Sequence, residues 1–115
     1  MENKFELVHV GFNTSSPEEA LKLAELLSQM FNLAPRHGQK SEFAGNYFEC
    51  MKAPFLGTNG HIAMQTDDLE AAVEELKGKG FSFNMDTAAY TGEGKLKNVY
   101  LDGEFGGFAI HILQK

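Results

Sequence analysis

The feature that most constrains the fold is an internal repeat of strand and helix signals. Residues 9–14 are His-Val-Gly-Phe-Asn-Thr and residues 61–66 are His-Ile-Ala-Met-Gln-Thr, so one strand pattern occurs twice. Each copy is followed by a helix-start signal, Ser-Pro-Glu-Glu at 16–19 and Asp-Asp-Leu-Glu at 67–70. Two copies of one pattern predict two equivalent modules that pack against each other.

Each start signal leads into one predicted amphipathic helix. Apolar residues recur at intervals of three and four, which predicts one apolar stripe per helix. The stripe of the first helix comprises Ala20, Leu23, Ala24, Leu27, Met30 and Phe31, and that of the second comprises Leu69, Ala72, Val73 and Leu76. We expect the second helix to end near Gly78 or Gly80, because glycine takes the left-handed conformation that ends helices.

The chain after each helix is short, extended and rich in turns, which predicts three antiparallel strands. The closing strands repeat as well: 45–49 and 107–111 both begin with glycine, continue with apolar or aromatic residues and end on a potential ligand. Pro and Gly within 53–60 interrupt the pattern and predict a linker. Residues 84–96, with two glycines, are predicted to be a long loop that borders a site.

These patterns predict one α+β domain over residues 1–115. Two tandem βαβββ modules, about 1–53 and about 60–115, would form a cupped, mostly antiparallel sheet. A chain of this length is sufficient for one compact core, and any chemistry has to be accommodated in one small site.

Composition and charge exclude several classes of function. The formal net charge of −6 argues against a nucleic-acid partner, because proteins that bind the phosphate backbone carry a basic face. No run approaches the roughly 18 apolar residues of a membrane span, and residues 1–4 do not resemble a signal peptide. The only cysteine, Cys50, has no partner for an internal disulfide. We therefore expect a cytoplasmic protein that contacts neither nucleic acid nor membrane.

Side chains alternate between the two faces of a strand, and this alternation predicts which residues face away from the helices. In the first strand His9 is expected to share its face with Phe5 and Leu7, while the helix-facing set is Val8, Val10 and Phe12. His61 is expected to lie opposite the helix-facing Ile62 and Met64. If a pseudo-twofold axis relates the modules, ligands at equivalent positions meet at that axis.

The four side chains predicted to converge are His9, Glu49, His61 and His111. Imidazole nitrogens and a carboxylate suit Zn, Ni, Fe, Co or Mn, and four ligands leave one or two positions for water or a chelating substrate. Three histidines favour Zn, Ni or Fe within that set. The alternative is a metal-free pocket lining, since most half-buried histidines are simply hydrogen-bonded.

Other polar residues have simpler interpretations. His37 lies in a predicted turn and is expected at the surface, and Cys50 is expected to be a core thiol. Lys52, Lys95 and Lys97 are expected to be solvated, with contact to an anionic substrate as the alternative.

The repeated module, opened each time by His-[Val/Ile]-[Gly/Ala]-[Phe/Met], resembles the vicinal oxygen chelate superfamily. That superfamily includes glyoxalase I, methylmalonyl-CoA epimerase, extradiol dioxygenases and bleomycin-resistance proteins. The resemblance covers nearly the whole chain and is most typical over 60–80. It implies that the opening and closing strands hold a metal through His9, Glu49, His61 and His111, and that the chain forms a homodimer. A glutamate is commonest at the position of His111.

A closer resemblance is carried by residues 7–13, 43–45, 51–57, 94–97 and 106–115. They are similar to the domain attached to the C-terminus of some bacterial 2-dehydro-3-deoxyphosphogluconate / 4-hydroxy-2-oxoglutarate aldolases, which implies an aldolase as a candidate partner. The aldolase reaction itself belongs to a separate barrel with a Schiff-base lysine, and 115 residues do not provide that barrel.

Two functional hypotheses follow. The first is a metal-dependent lyase or isomerase of glyoxalase type, in which a small 2-oxo or 2-hydroxy acid chelates the ion and the ion acts as a Lewis acid. Glu49 would be the base, as the only carboxylate among the four ligands. The second is a non-catalytic domain that binds a metabolite or associates with an aldolase. Drug sequestration is a weaker third hypothesis, because bleomycin-resistance proteins usually have an apolar, metal-free crevice.

Overall fold

The computed structural model describes residues 2–115, which form two successive modules of strand, helix and three strands. The first module comprises β1 (Phe5–Asn13), α1 (Pro17–Phe31), β2 (Pro35–His37), β3 (Ser41–Ala44) and β4 (Phe48–Met51). The second comprises β5 (Gly60–Thr66), α2 (Leu69–Gly78), β6 (Phe83–Tyr90), β7 (Leu96–Leu101) and β8 (Phe108–Gln114). Neither helix has the length and apolar character needed to cross a membrane.

All these strands belong to one mixed sheet in the order β2-β3-β4-β1-β5-β8-β7-β6. If each strand is replaced by its equivalent in the other module, the same order results, read from the opposite edge. The modules meet where β1 pairs antiparallel with β5. The opening and closing strands of each module are parallel, whereas the remaining pairs are antiparallel. The predicted α+β fold of two βαβββ modules is confirmed, and the sheet is open because β2 and β6 lie at its two edges.

The helix boundaries follow from local side-chain chemistry. The hydroxyl of Ser16 accepts a hydrogen bond from the backbone N–H of Glu19 at 3.1 Å, and Pro17 occupies the first turn, where no N–H is needed. Asp68 caps α2 in the same manner, and α2 ends at Gly78 as predicted. Both helices therefore begin at the predicted positions, and α2 also ends where the sequence indicated.

Each helix packs on its own half of the sheet. The core under α2 contains Leu69, Val73, Phe83, Leu96, Val99, Leu101 and Ile112, and the core under α1 contains Ala20, Ala24 and Cys50 with Leu23 and Leu27 beside them. Met30 and Phe31 were predicted to extend this stripe but are 61% and 57% exposed. A 15-residue helix is about 22 Å long whereas four-residue strands span about 13 Å, so the last turn of α1 extends beyond β3 and β4.

The predicted long loop at 84–96 is wrong. Residues 84–90 belong to β6, and only 91–95 connect it to β7. The pairing of β6 with β7 is irregular after Asn84, where the hydroxyl of Thr87 donates to the Asn84 carbonyl at 2.7 Å and accepts from the Tyr100 N–H at 2.9 Å. These side-chain bonds replace part of the regular ladder, so this strand does not show the alternation by which strands are recognised.

A β-bulge in β1 overturns the expected arrangement of its side chains. Leu7 pairs with Met64 and His9 pairs with Ala63, so β1 uses two residues where β5 uses one. The extra residue exchanges the two faces, and Phe5 packs against the core under α2. The prediction that His9 shares a face with Phe5 and Leu7 is therefore wrong, because simple alternation does not continue through a bulge.

Candidate metal centre

The centre of the sheet brings the opening strands of the modules and β4 together. Gly11 of β1 lies opposite Glu49 of β4 on one side and opposite His61 of β5 on the other. Residues opposite each other on paired strands project to one face, so Glu49 and His61 project to the same face as His9, two residues from Gly11. Nδ1 of His61 is buried and has no hydrogen-bond partner in the described chain. The orientation of this ring therefore depends on packing and on the contacts of Nε2.

Three of the predicted ligands form a compact triangle of polar atoms. Nε2 of His9 lies 3.0 Å from Oε1 of Glu49, and Nε2 of His61 lies 3.2 Å from the same oxygen. The two Nε2 atoms are 3.0 Å apart. His61 is 4% exposed, and the other two side chains are also largely shielded from solvent. One carboxylate oxygen and two imidazole nitrogens thus point at one another in a protected position.

Hydrogen bonding alone does not satisfy this triangle. Each Nε2 carries at most one hydrogen, so no more than two of the three short contacts are hydrogen bonds. A cation would accept one lone pair from each of the three atoms. Around an ion with ligands at about 2.1 Å, atoms on an octahedral face are roughly 3.0 Å apart and those of a tetrahedron roughly 3.4 Å apart. The observed distances are close to the octahedral face, and the residues therefore fit a divalent ion.

The second oxygen of Glu49 is held by β3. The hydroxyl of Ser41 donates to Oε2 at 2.7 Å, and Ser41 itself is buried. Burial alone would raise the pKa of Glu49, but hydrogen bonds from His61, His9 and Ser41 outweigh it and hold that pKa well below the usual range. Glu49 is consequently ionised at neutral pH, as a metal ligand must be.

His111 lies beside the triangle. Its ring stacks on Tyr100, with centroids 4.1 Å apart and planes 1° from parallel, and its centroid is 6.5 Å from that of His61. Burial and the nearby His61 and His9 lower the pKa of His111 to about 4, so the ring is neutral at pH 7. Its Nε2 is buried without a partner among residues 2–115. The structure thus brings three predicted ligands into contact, and the role of His111 as the fourth remains a prediction.

All four side chains line one pocket of about 360 Å³. The residues that complete its wall, which were not predicted from the sequence, are Lys40, Met51, Phe55 and Tyr100. The repeat contained a signal for Tyr100, since Tyr100 lies opposite His111 as Phe43 lies opposite Glu49. An aromatic residue therefore stands beside the closing-strand position in both modules.

The predicted linker supplies Phe55, which is part of the pocket wall. Asn13 holds this segment, because its side-chain amide donates to the carbonyl of Gly57 at 2.8 Å and its oxygen accepts from the N–H of Phe55 at 3.2 Å. The ring of Phe55 meets Tyr100 edge to face at 5.9 Å between centroids. A segment interpreted only as a connection between modules is therefore part of the site.

The other polar residues singled out in the sequence lie outside this pocket. Lys52 is paired with Glu42 at 3.2 Å, and His37 at the surface contacts the same carboxylate. Lys95 and Lys97 are exposed. Cys50 is fully buried on the opposite side of β4 from Glu49, and burial together with the charges of Glu49 and Glu42 raises its pKa to about 11.

No known family model and no curated protein sequence matches this chain. Several solved structures share its fold. A hypothetical protein from Bacillus halodurans C-125 is 16% identical, with a TM-score of 0.62 over 97% of this chain and 95% of that one. A methylmalonyl-CoA epimerase from Streptomyces coelicolor, in complex with 2-nitronate-propionyl-CoA, is 14% identical, with a TM-score of 0.59 over 96% and 94%.

A methylmalonyl-CoA epimerase from Mycobacterium tuberculosis is 17% identical, with a TM-score of 0.57 over 94% of this chain and 86% of that one. At these identities the likeness shows the fold alone. The chain thus has the glyoxalase-like fold that these two epimerases share.

Proposed function

We propose that this chain is a member of the vicinal oxygen chelate superfamily and binds one divalent metal ion. The observation that carries the proposal is the triangle of His9, Glu49 and His61, whose three contacts of 3.0 to 3.2 Å exceed what two ring hydrogens can satisfy. His111 would be the fourth ligand, since it is neutral and its Nε2 has no partner in the described residues. The whole of 1–115 would form a single domain around this site, with modules of about 1–53 and about 60–115.

The ligand set is consistent with Zn, Ni, Fe, Co or Mn, and three imidazoles favour Zn, Ni or Fe. When bound, the ion would supply Lewis-acid polarisation of two adjacent oxygens on a chelating molecule. The chain provides the surroundings: a pocket near the lower end of the usual 300–1,000 Å³ range, with apolar walls from Met51, Phe55 and Tyr100. A small 2-oxo or 2-hydroxy acid has the adjacent oxygens and the size that this pocket suits.

The reaction that we propose is an isomerase or lyase step at the carbon next to the chelating oxygens. Support comes from the fold, which is that of two methylmalonyl-CoA epimerases. Glu49 is our proposed base, as the only carboxylate that lines the pocket within residues 2–115. With the ion bound, Glu49 would be one of its ligands, so Glu49 acts as a base only if it dissociates from the ion.

A non-catalytic role is the second proposal, and the contacts of Glu49 favour it. Within residues 2–115 Glu49 is the only carboxylate that lines the pocket, and it is held by Ser41 and would coordinate the ion, so no other carboxylate is placed to move a proton. In this case the chain would bind a metabolite, or associate with a 2-dehydro-3-deoxyphosphogluconate / 4-hydroxy-2-oxoglutarate aldolase as an accessory domain. A homodimer is compatible with both proposals, because β2 and β6 leave open sheet edges.

Metal content tests the site directly. Elemental mass spectrometry on protein purified without a histidine tag should find near one ion per chain, and His9→Ala and His61→Ala should each abolish it. His37→Ala is the matched control, since His37 lies at the surface away from the pocket and its loss should leave the metal content unchanged. Failure of the wild type to retain any of the five metals after reconstitution would contradict the proposal.

Turnover separates the two proposals. Metal-loaded protein is incubated in D2O with small 2-oxo and 2-hydroxy acids, and NMR follows exchange of the hydrogen next to the chelating oxygens. Exchange above that of the free ion supports the isomerase or lyase, and it should fall in Glu49→Gln at equal metal loading. Ligand-induced stabilisation without exchange or product supports the binding domain instead.

A further inference from the structure

Lys40 is the cationic side chain that lines the pocket in the described part of the chain. It lies between β2 and β3, and its carbonyl accepts a hydrogen bond from the N–H of Lys52 at 3.0 Å. The next residue, Ser41, donates to Glu49. The backbone that follows Lys40 is thus tied to Glu49 of β4 and to Lys52 just after β4, which restricts its position relative to the pocket.

The ammonium group of Lys40 is not paired with a carboxylate of residues 2–115. The lysines whose ammonium groups lie within 4.0 Å of a carboxylate are Lys52, Lys77, Lys79 and Lys115. Lys52, for example, is paired with Glu42 and donates to the carbonyl of Gly38 at 2.8 Å. In a chain of net charge −6, Lys40 is therefore a cation at a pocket wall without a compensating charge.

The pocket then combines two charged groups with an apolar surface. The triangle of His9, Glu49 and His61 would hold a divalent ion, and the exposed Lys40 contributes one positive charge at the wall. Met51, Phe55 and Tyr100 form the apolar surface. With the ion counted as +2, Glu49 as −1 and Lys40 as +1, the site carries a net charge of +2, which favours a dianion over a monoanion.

We propose that Lys40 is a specificity-determining residue that binds a second anionic group on the ligand. The ligand class would be a 2-oxo or 2-hydroxy acid with a carboxylate or phosphate at its far end. This inference rests on the proposed function, because the chelating end of the ligand requires the metal centre. It adds what the metal centre does not specify, namely the charge at the other end of the molecule.

Binding to cobalt-loaded protein tests the inference by calorimetric titration. The ligands are 2-oxobutyrate, with one anionic group, and 2-oxoglutarate and phosphonopyruvate, with a second carboxylate and a phosphonate. The variants are Lys40→Met and, as the matched control, Lys97→Met, which removes an exposed lysine that does not line the pocket. We expect Lys40→Met to weaken the binding of at least one ligand with two anionic groups about tenfold, and the binding of 2-oxobutyrate less than twofold. Lys97→Met should change none of them.

The outcomes separate this inference from the proposed function. A loss confined to 2-oxoglutarate identifies a carboxylate, and one confined to phosphonopyruvate identifies a phospho group. If the wild type binds these acids and Lys40→Met weakens all three equally or none, Lys40 has no such role and the metal centre stands. If the wild type binds cobalt but none of the acids, or does not bind cobalt, the inference is overturned together with the function on which it rests.

Discussion

The ring of His61 occupies the space that a side chain at Gly11 would fill. A Cβ at residue 11 would lie 2.1 Å from Cε1 and 2.7 Å from Nε2 of His61. The two residues are direct partners across β1 and β5. Gly11 has no side chain, and this absence allows His61 to reach Glu49.

Gly11→Ala should disrupt the metal centre although every ligand remains. Gly11 has no positive φ, so the expected effect comes from the displaced imidazole and not from backbone strain. We expect at least a tenfold loss of metal affinity and a loss of about 1–3 kcal/mol in the free energy of unfolding. Competition with a metal indicator and urea unfolding measure the two effects.

Gly92→Ala is the matched control, because a Cβ at Gly92 meets no atom within 4 Å and its backbone φ is not positive. It should leave both quantities unchanged. Unaltered metal affinity in Gly11→Ala would show that the position of His61 does not depend on this close packing.

Ser41→Ala should weaken metal binding through Glu49. The Ser41 hydroxyl is the donor that holds Oε2 at 2.7 Å in a buried position, and groups that orient a ligand typically contribute 10- to 100-fold to affinity. We also expect a loss of about 1–3 kcal/mol in stability, because a buried carboxylate oxygen loses its donor. The dissociation constant and the urea midpoint report the two changes.

Ser15→Ala removes a similar bond at the surface, where the Ser15 hydroxyl donates to Glu19 at 2.8 Å. It should cost less than about 0.5 kcal/mol and leave metal affinity unchanged. Equal effects of the two substitutions would indicate that Ser41 does not act through Glu49.

His111 should make the metal-free protein less stable in mild acid. Its pKa is lowered from 6.5 to about 4 in the folded state, so between these values the unfolded chain binds a proton that the folded chain does not. Stability contributed by neutral His111 is therefore present above pH 6.5 and is lost as the pH falls. Between pH 7 and pH 5 we expect a loss of about 2 kcal/mol from this residue.

Urea unfolding of wild type and His111→Gln at pH 7 and pH 5 measures this contribution. The range from pH 7 to pH 5 avoids most of the effect of Glu49, because the stability that its lowered pKa contributes is lost mainly as the pH falls below the ordinary value of 4.5. The variant should lose less stability over the window than the wild type. An identical pH dependence in both would contradict the assignment.

Cys50 should not react as a thiol in the folded protein. It is fully buried, and a pKa of about 11 against an ordinary value of 9.0 means about a hundredfold less thiolate at pH 8. Alkylation with iodoacetamide should therefore be more than a hundredfold slower in buffer than in urea, as followed by mass spectrometry. Comparable rates would show that Cys50 is accessible in the folded protein.

Much of the fold was predictable because its signals are local. The caps at Ser16 and Asp68, the apolar stripe of α2 and the repeated strand patterns each act over a few residues. They sufficed for two βαβββ modules and an α+β fold. The same local rules were wrong for Met30 and Phe31, since their burial depends on how far the sheet extends beneath α1.

The candidate site was less predictable because its residues come from distant parts of the chain. The repeat selected His9, Glu49, His61 and His111, but the reason given for the orientation of His9 was wrong, since the bulge in β1 is visible only in its pairing with β5. Lys40 and Phe55 reach the pocket from connecting segments, which have no periodic pattern.

Local signals were enough to predict two modules, their order and the start of each helix, because capping and periodicity are properties of neighbouring residues. The contacts among His9, Glu49 and His61, and the stacking of His111 on Tyr100, were visible only in the folded chain. Those contacts depend on strand register, on one extra residue in β1 and on the absence of a side chain at Gly11. Each of these is settled by the partner strand, which lies tens of residues away in the chain.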